Sequence, residues 1–344
     1  MVSRRRLLLG SMALPVTGHP LDPAFARLAE ATRAGEVAAA VLHVEARGQR
    51  HLRAFGKATP ETVFLLASIT KPMTAVVVMG LVEAGRLRLD DPVARHLPQF
   101  TGGDRPLVTI KHLLNHTSGL PDQLPDNLEL RRRNAPITEF VAGALRAPLR
   151  FKPGTAVAYQ SMGYLLAATI AERVTGAPLR EQMRRTLFQP LGMTTASLGL
   201  GGRKLEEMAR CQVPDDPGGW NSPYWRDFGS PWGGAHGSAA DVMRLLQWAA
   251  HPERTKGPLR PDTARAMRTT TTPAGRDRYG LGWRLGIGGA GASPETFGHS
   301  GATGVLAWLD PTRDLACVLL TTRPSDQSEK TLLRPVSDLI SGAF

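Results

Sequence analysis

Ser68-Ile69-Thr70-Lys71-Pro72-Met73-Thr74-Ala75-Val76-Val77-Val78-Met79-Gly80-Leu81-Val82-Glu83 is the stretch on which the reading of this chain turns. Ala75, Val76, Val78, Met79, Leu81 and Val82 put apolar side chains around most of the girth of a helix, and a helix that is apolar all round is a buried one. Gly85 stops it. Pro72 requires the helix to begin close to Ser68, because a proline deeper inside would remove a backbone hydrogen bond. Ser68 and Lys71 are three residues apart at that start, so their side chains share one face within reach of each other. A serine hydroxyl is a poor nucleophile until a base takes its proton, and a lysine can be that base when burial lowers its pKa.

Working outward, Val37–Val44 and Arg50–Gly56 read as two β segments around Ala46-Arg47-Gly48, a hairpin. A helix is expected before them, over about Asp22–Ala34. From Asp90 to about Gly229 the pattern is helical and loop-rich, with helices at Ile110–Leu114, Ile137–Arg146, Met162–Val174 and Leu179–Leu187 punctuated by Pro and Gly. The last third changes character. A helix over Ala239–Ala250 precedes strand-like runs at Tyr279–Leu285, Gly304–Asp310 and Leu315–Thr321, and a terminal helix over about Lys330–Ile340. Strands at both ends with helices between imply one sheet built from distant chain segments. The fold class is therefore α/β (α+β): an antiparallel sheet flanked by helices with an inserted, mostly helical domain. The α/β part covers about 21–66 and 230–344, the helical part about 67–229.

A chain of 344 residues with 42% hydrophobic and 21% charged residues, 36 Gly and 27 Pro is long enough to bury a large core and rich in turns. The formal net charge of +12 raises the question of polyanion binding. The arginines are scattered, the densest later cluster, Arg131 to Arg133, lies in a polar stretch, and no nucleic-acid motif accompanies the charge, so no nucleic-acid partner is expected. Cys211 and Cys317 have neither metal-ligand nor redox spacing and are read as buried thiols or one disulfide. His-Glu-x-x-His, Cys-x-x-Cys and phosphate-loop patterns are absent from the sequence, which predicts no metal and no cofactor. Gly286-Ile287-Gly288-Gly289-Ala290-Gly291 spells a dinucleotide fingerprint but lacks the βαβ context, and reads instead as a hairpin loop.

Two further motifs accompany the Ser68/Lys71 pair: Tyr159-Gln160-Ser161 just before a helix, and His299-Ser300-Gly301 at a strand start. In this order the three resemble the motifs of the serine penicillin-recognising superfamily, which includes class C β-lactamases, D-alanyl-D-alanine carboxypeptidases and related esterases. The likeness extends to Leu89-Asp90-Asp91-Pro92-Val93, Leu113 through Leu120, Pro190-Leu191-Gly192-Met193, Gly233-Gly234, Ser238-Ala239-Ala240-Asp241, Tyr279 through Trp283, and Asp310-Pro311. The resemblance implies a β-lactamase/transpeptidase-like fold and acyl transfer to water through an acyl-Ser68 intermediate. It implies Ser68 as nucleophile, Lys71 as general base and Tyr159 as the phenol that relays a proton, its phenolate favoured by a nearby ammonium. The backbone N–H groups of Ser68 and Ala302 would form the oxyanion hole. Ser161, His299, Ser300 and Gly301 would bind substrate, an ester or a D-amino-acid amide or peptide, small-molecule or peptidoglycan-like.

Two positions depart from the superfamily pattern. Ser161 stands where Asn is usual, and His299 replaces the Lys of Lys-Thr-Gly, which weighs against a β-lactamase. A weak β-lactamase and a catalytically silent binding or scaffolding protein of the same fold are the alternatives. His116 is read as a helix-end histidine satisfying backbone groups rather than as a site residue. Trp220, Tyr224, Trp225 and Trp232 either wall the active site or pack their own loop. Finally, Ser3-Arg4-Arg5-Arg6-Leu7-Leu8 and the apolar stretch to Gly18 have the shape of an export signal over about residues 1–20, resembling a twin-arginine signal. Periplasmic or extracellular location is expected, with no stable membrane span after its removal.

Overall fold

Alternation of apolar residues in the first and last strands decides where the sheet forms. β1 (Ala39–Ala46) and β2 (Gln49–Gly56) make the expected hairpin, with Arg47 and Gly48 at positive φ in the turn. In the computed structural model, which describes residues 18–254, 256–275 and 277–344, β1 then pairs antiparallel with β10 (Leu315–Thr321), Val41 opposite Leu320 and Val44 opposite Cys317. Ladder hydrogen bonds thus join chain segments about 275 residues apart, a topology whose loop closure must be offset by burial. The sheet continues through β9 (Val305–Asp310), β8 (Phe297–Gly301), β7 (Arg284–Leu285) and β6 (Arg278–Tyr279), giving the order β2-β1-β10-β9-β8-β7-β6, antiparallel throughout. A second, three-stranded sheet places β5 (Ala235–Gly237) between β3 (Phe64–Leu65) and β4 (Ser197–Leu198).

Each face of the large sheet is covered. Leu42, Val44, Trp308 and Leu319 pack against helices Asp22–Arg33 and Arg334–Ala343. Val41, Val318, Leu320 and Ala307 face the larger core, which includes helix Ala239–Ala250 and the helices of the middle region. Helix Thr70–Glu83 is buried along nearly its whole length within that core, as its all-round apolar sequence requires. Its neighbour Met162–Thr175 ends at Gly176 in the left-handed conformation, a glycine C-cap.

Three expectations need adjustment. The run Tyr279–Leu285 is two short strands, because Gly282 (φ +95°) turns the chain and Gly280 N–H donates to Trp283 O at 3.0 Å, closing a hairpin where continuous strand was read. The aromatic loop contains a short helix, Pro223–Phe228, whose Ser222 hydroxyl caps Trp225 N–H at 3.1 Å. The terminal helix starts earlier, with turns at Ser325–Ser328 and Glu329–Leu333 before Arg334. The Gly286–Gly291 segment joins β7 to β8, as its hairpin reading requires. Cys211 and Cys317 are buried free thiols, and burial pushes both thiol pKa values up. Among the described residues no helix is long and apolar enough to cross a membrane. The basic, apolar opening read as an export signal lies outside the described residues.

Candidate active site

Ser68 sits in a single 3₁₀ turn, Ala67–Ile69, that feeds directly into helix Thr70–Glu83. The residue before it, Ala67, is held at φ +45°, a conformation that costs a non-glycine residue energy and is tolerated where surrounding structure over-determines it. The turn keeps Ser68 half-exposed in a cleft while Lys71, one helical turn on, is fully buried. Lys71 Nζ lies 3.2 Å from Ser68 Oγ and donates to Trp232 O at 3.2 Å. Burial lowers the Lys71 pKa to about 7, against the opposing attraction of the Asp122 carboxylate. Near neutral pH an amine with that proton affinity exists in both forms, the condition for accepting a proton from Ser68 and passing it on.

The cleft, about 170 Å³, is lined by Ser68, Tyr159, Ser161, Asp122, Ala302 and tryptophans from the loop after Gly219. Tyr159 presents its ring to the amine, with Lys71 Nζ 4.6 Å from the ring centroid. Burial pushes its phenol well above the ordinary value, while the Ser68 hydroxyl acts in the opposite direction. The resting group is thus a neutral phenol. Lys71 lies over the ring face, close enough for its ammonium form to act on the phenol. Neither Ser68 N–H nor Ala302 N–H donates to any acceptor among the described residues. Two backbone donors without a protein acceptor, both on residues that line the cleft, are suited to a developing oxyanion.

Gly301 allows the β8 edge to come this close. A Cβ there would meet Val305 Cγ2 at 2.6 Å, Leu66 O at 2.8 Å and Ala67 Cβ at 2.9 Å. His299 is buried, its ring centroid 6.0 Å from that of Tyr159, and its Nδ1 is 2.7 Å from Ser300 O. Burial, aided by the neighbouring Lys71, lowers its pKa to about 3, so it is a neutral imidazole in ordinary buffers. Ser300, the next residue on an alternating strand, points away from this cleft and lines a separate cavity of about 100 Å³ with Arg284 and Arg334.

Ser161 is brought to the cleft, and its hydroxyl donates to Asp122 Oδ1 at 2.6 Å. Asp122 was missed in the sequence because one acidic residue in a Pro121-Asp122-Gln123 loop has no pattern to mark it. Behind the cleft, Gln160 is locked by donation from its side chain to His112 O (2.9 Å) and by the Ser118 hydroxyl, which donates to its Oε1. Its backbone N–H donates to His116 Nδ1 at 3.1 Å. His116 therefore keeps its proton on Nε2. The ring is fully buried between Tyr159 and Tyr279, at 4.7 and 4.5 Å, and burial beside Lys71 holds its pKa well below the usual imidazole range. Of the aromatic loop, Trp220, Trp225 and Trp232 line the cleft, whereas the Tyr224 hydroxyl donates to Ala135 O at 2.7 Å. Among the described residues no group of three or more His, Cys, Asp or Glu could hold a metal ion.

An antiparallel sheet with a helical region beside it, and a serine and a buried lysine at a helix start, define the class as a serine hydrolase of the β-lactamase/transpeptidase-like fold. The chain belongs to the Beta-lactamase family, whose model matches residues 25–339. Esterase EstB of Burkholderia gladioli is 32% identical, over 78% of this chain and 77% of that protein. Penicillin-binding protein 4 of Amycolatopsis lactamdurans is 31% identical, over 76% of this chain and 72% of that one. In structure, a penicillin-binding protein homolog from Caulobacter crescentus superposes with a TM-score of 0.75 at 22% identity, over 95% of this chain and 98% of that one, a likeness of fold.

Proposed function

We propose that this family member hydrolyses an ester or a D-amino-acid amide or peptide through a covalent acyl-Ser68 intermediate. The observation that carries the reading is the fully buried Lys71 amine 3.2 Å from the half-exposed Ser68 hydroxyl. Ser68 Oγ attacks the carbonyl carbon as Lys71 takes the hydroxyl proton, and the N–H groups of Ser68 and Ala302 receive the negative oxygen. The Tyr159 phenol passes its proton to the departing oxygen or nitrogen and is reprotonated from Lys71, so the C–O or C–N bond breaks with the leaving group neutral. Water then adds to the acyl carbon as Lys71, again a free amine, takes one of its protons by relay through the Tyr159 phenol, and Lys71 returns a proton to Ser68 Oγ as the acyl C–O bond breaks, so the acid is released with Ser68 restored. Gly301 holds the β8 edge against this centre, and His299 and Ser161 border the substrate.

The neutral, buried His299 supports ester and amide substrates over the weak β-lactamase, since it supplies no fixed cation for the carboxylate of a β-lactam. We place the reaction outside the cytoplasm, on the strength of the signal-like opening. Steady-state hydrolysis of p-nitrophenyl esters, D-amino-acid amides and a chromogenic cephalosporin tests the assignment. Turnover of an ester or D-amide that is lost in Ser68→Ala supports it; turnover that survives in Ser68→Ala overturns it, and a strong preference for the cephalosporin moves the substrate to β-lactams.

A further inference from the structure

Tyr159 stands on irregular backbone. Residues 155–161 form neither helix nor strand, so no ladder or helical turn sets where the phenol sits. The backbone groups of such a segment must find their partners elsewhere in the fold. Here they find them on one residue. Ala158 N–H donates to His116 O at 3.0 Å, and Gln160 N–H donates to His116 Nδ1 at 3.1 Å. The imidazole also lies against the Tyr159 ring, with centroids 4.7 Å apart and planes inclined by 31°. The amides on both sides of Tyr159, and its ring, thus meet the same histidine.

Holding a histidine there carries two penalties. His116 has φ +65°, in the left-handed region that disfavours side chains. Its Nε2, which carries the proton because Nδ1 accepts, is buried without a hydrogen-bond partner among the described residues. Backbone outliers of this kind persist where the surrounding structure over-determines them. The surroundings do so here: Tyr164 and Tyr279 close on the imidazole at 5.5 and 4.5 Å, and the Tyr164 hydroxyl donates to Leu114 O at 2.6 Å. A leucine at position 116 would fill space and a phenylalanine would restore the ring contact, but either would leave the Gln160 N–H without its acceptor. Histidine supplies the acceptor and the flat face together.

We propose that His116 is a positioning residue for Tyr159: through its Nδ1 acceptor and its ring it fixes the phenol where it can protonate the leaving group, without itself touching substrate. This rests on the acyl-transfer reading above and names what holds its proton donor in place. The consequence is a dependence on the leaving group. A p-nitrophenolate departs with its charge and needs little help, whereas an alkoxide requires the proton. p-Nitrophenyl butyrate and ethyl butyrate form the same acyl-enzyme, so the ratio of their kcat/KM values reads proton delivery during acylation.

The test measures this ratio in wild type, Tyr159→Phe, His116→Phe, His116→Asn and the double variant Tyr159→Phe/His116→Phe. His116→Phe keeps a ring and loses the acceptor; His116→Asn keeps an acceptor near the Nδ1 position and suits the left-handed backbone. Ethyl ester cleavage relative to the p-nitrophenyl ester is expected to fall roughly 10²-fold in Tyr159→Phe and roughly tenfold or more in His116→Phe, and to stay within about threefold of wild type in His116→Asn. Adding His116→Phe to Tyr159→Phe is expected to leave the ratio where Tyr159→Phe put it, since the histidine acts through the phenol. A histidine serving stability alone would lower both esters together. A ratio unmoved in His116→Phe, one that falls as far in His116→Asn, or a further fall in the double variant overturns the proposal and leaves the hydrolase reading standing. If His116→Phe does not fold, His116→Gly, which removes both contacts and relieves the left-handed backbone, gives the same reading. A ratio unmoved in Tyr159→Phe overturns the role of Tyr159 and this proposal with it.

Discussion

Lys71 gains almost nothing from water: it is fully buried, and the loss of hydration outweighs the pull of Asp122, lowering its pKa to about 7. Below that value it is an ammonium and cannot take the Ser68 proton; above it the free amine can. Activity should therefore rise with pH along a limb centred near 7 and fall by about tenfold per unit below it, which a kcat/KM profile with a neutral ester will show. His299 and His116 are neutral throughout this range and add no limb. Lys71→Met removes the base at nearly constant shape, and a loss of roughly 10²–10⁴-fold in kcat/KM is expected, with the limb gone. The Ser68/Lys71 pair was legible in the sequence because three residues along a helix is a fixed geometry. Asp122 was not, since it meets Ser161 across 39 residues of chain through a loop that carries no periodicity.

Between elements, the approach of β8 to the Ser68 turn depends on a missing side chain. Gly301→Ala would drive a methyl group into Val305, the Leu66 carbonyl and Ala67, so the strand must retreat from Ser68 and take Ala302 N–H with it. The variant should lose roughly 1–3 kcal/mol of stability by denaturant unfolding, and kcat should fall more than KM rises, because the oxyanion donors are displaced while the cleft wall remains. The strands β9 and β10 could be read from apolar runs that end at turn residues, whereas β8 could not: Phe297-Gly298-His299-Ser300-Gly301 is no apolar run, and His299-Ser300-Gly301, read as a strand start, ends the strand. The β6–β7 turn could not, because Gly280-Leu281-Gly282-Trp283 is as apolar as a strand and only the positive φ of Gly282 shows that the chain reverses. The helix Pro223–Phe228 was hidden for a related reason: six residues are too few to display a helical period.

Across the whole molecule the sheet separates two apolar clusters, one beneath the cleft and one under the first and last helices. Stability and chemistry are thus partly separable. Leu28, fully buried in the second cluster, lies across the sheet from Ser68, and Leu28→Ala should cost roughly 2–5 kcal/mol in unfolding experiments while kcat stays within about twofold at temperatures where the variant is folded. The overall architecture was readable because strands gathered at both ends of the chain and helices in between permit few arrangements; the pairing of β1 with β10 follows once both are known to be strands. The central claim is that Ser68 carries the acyl group. Intact-protein mass and peptide mapping after exposure to a fluorophosphonate and to a slowly deacylating ester should show one adduct, on the peptide containing Ser68, absent in Ser68→Ala and strongly slowed in Lys71→Met; an adduct on another residue, or equal labelling of Ser68→Ala, would contradict the account.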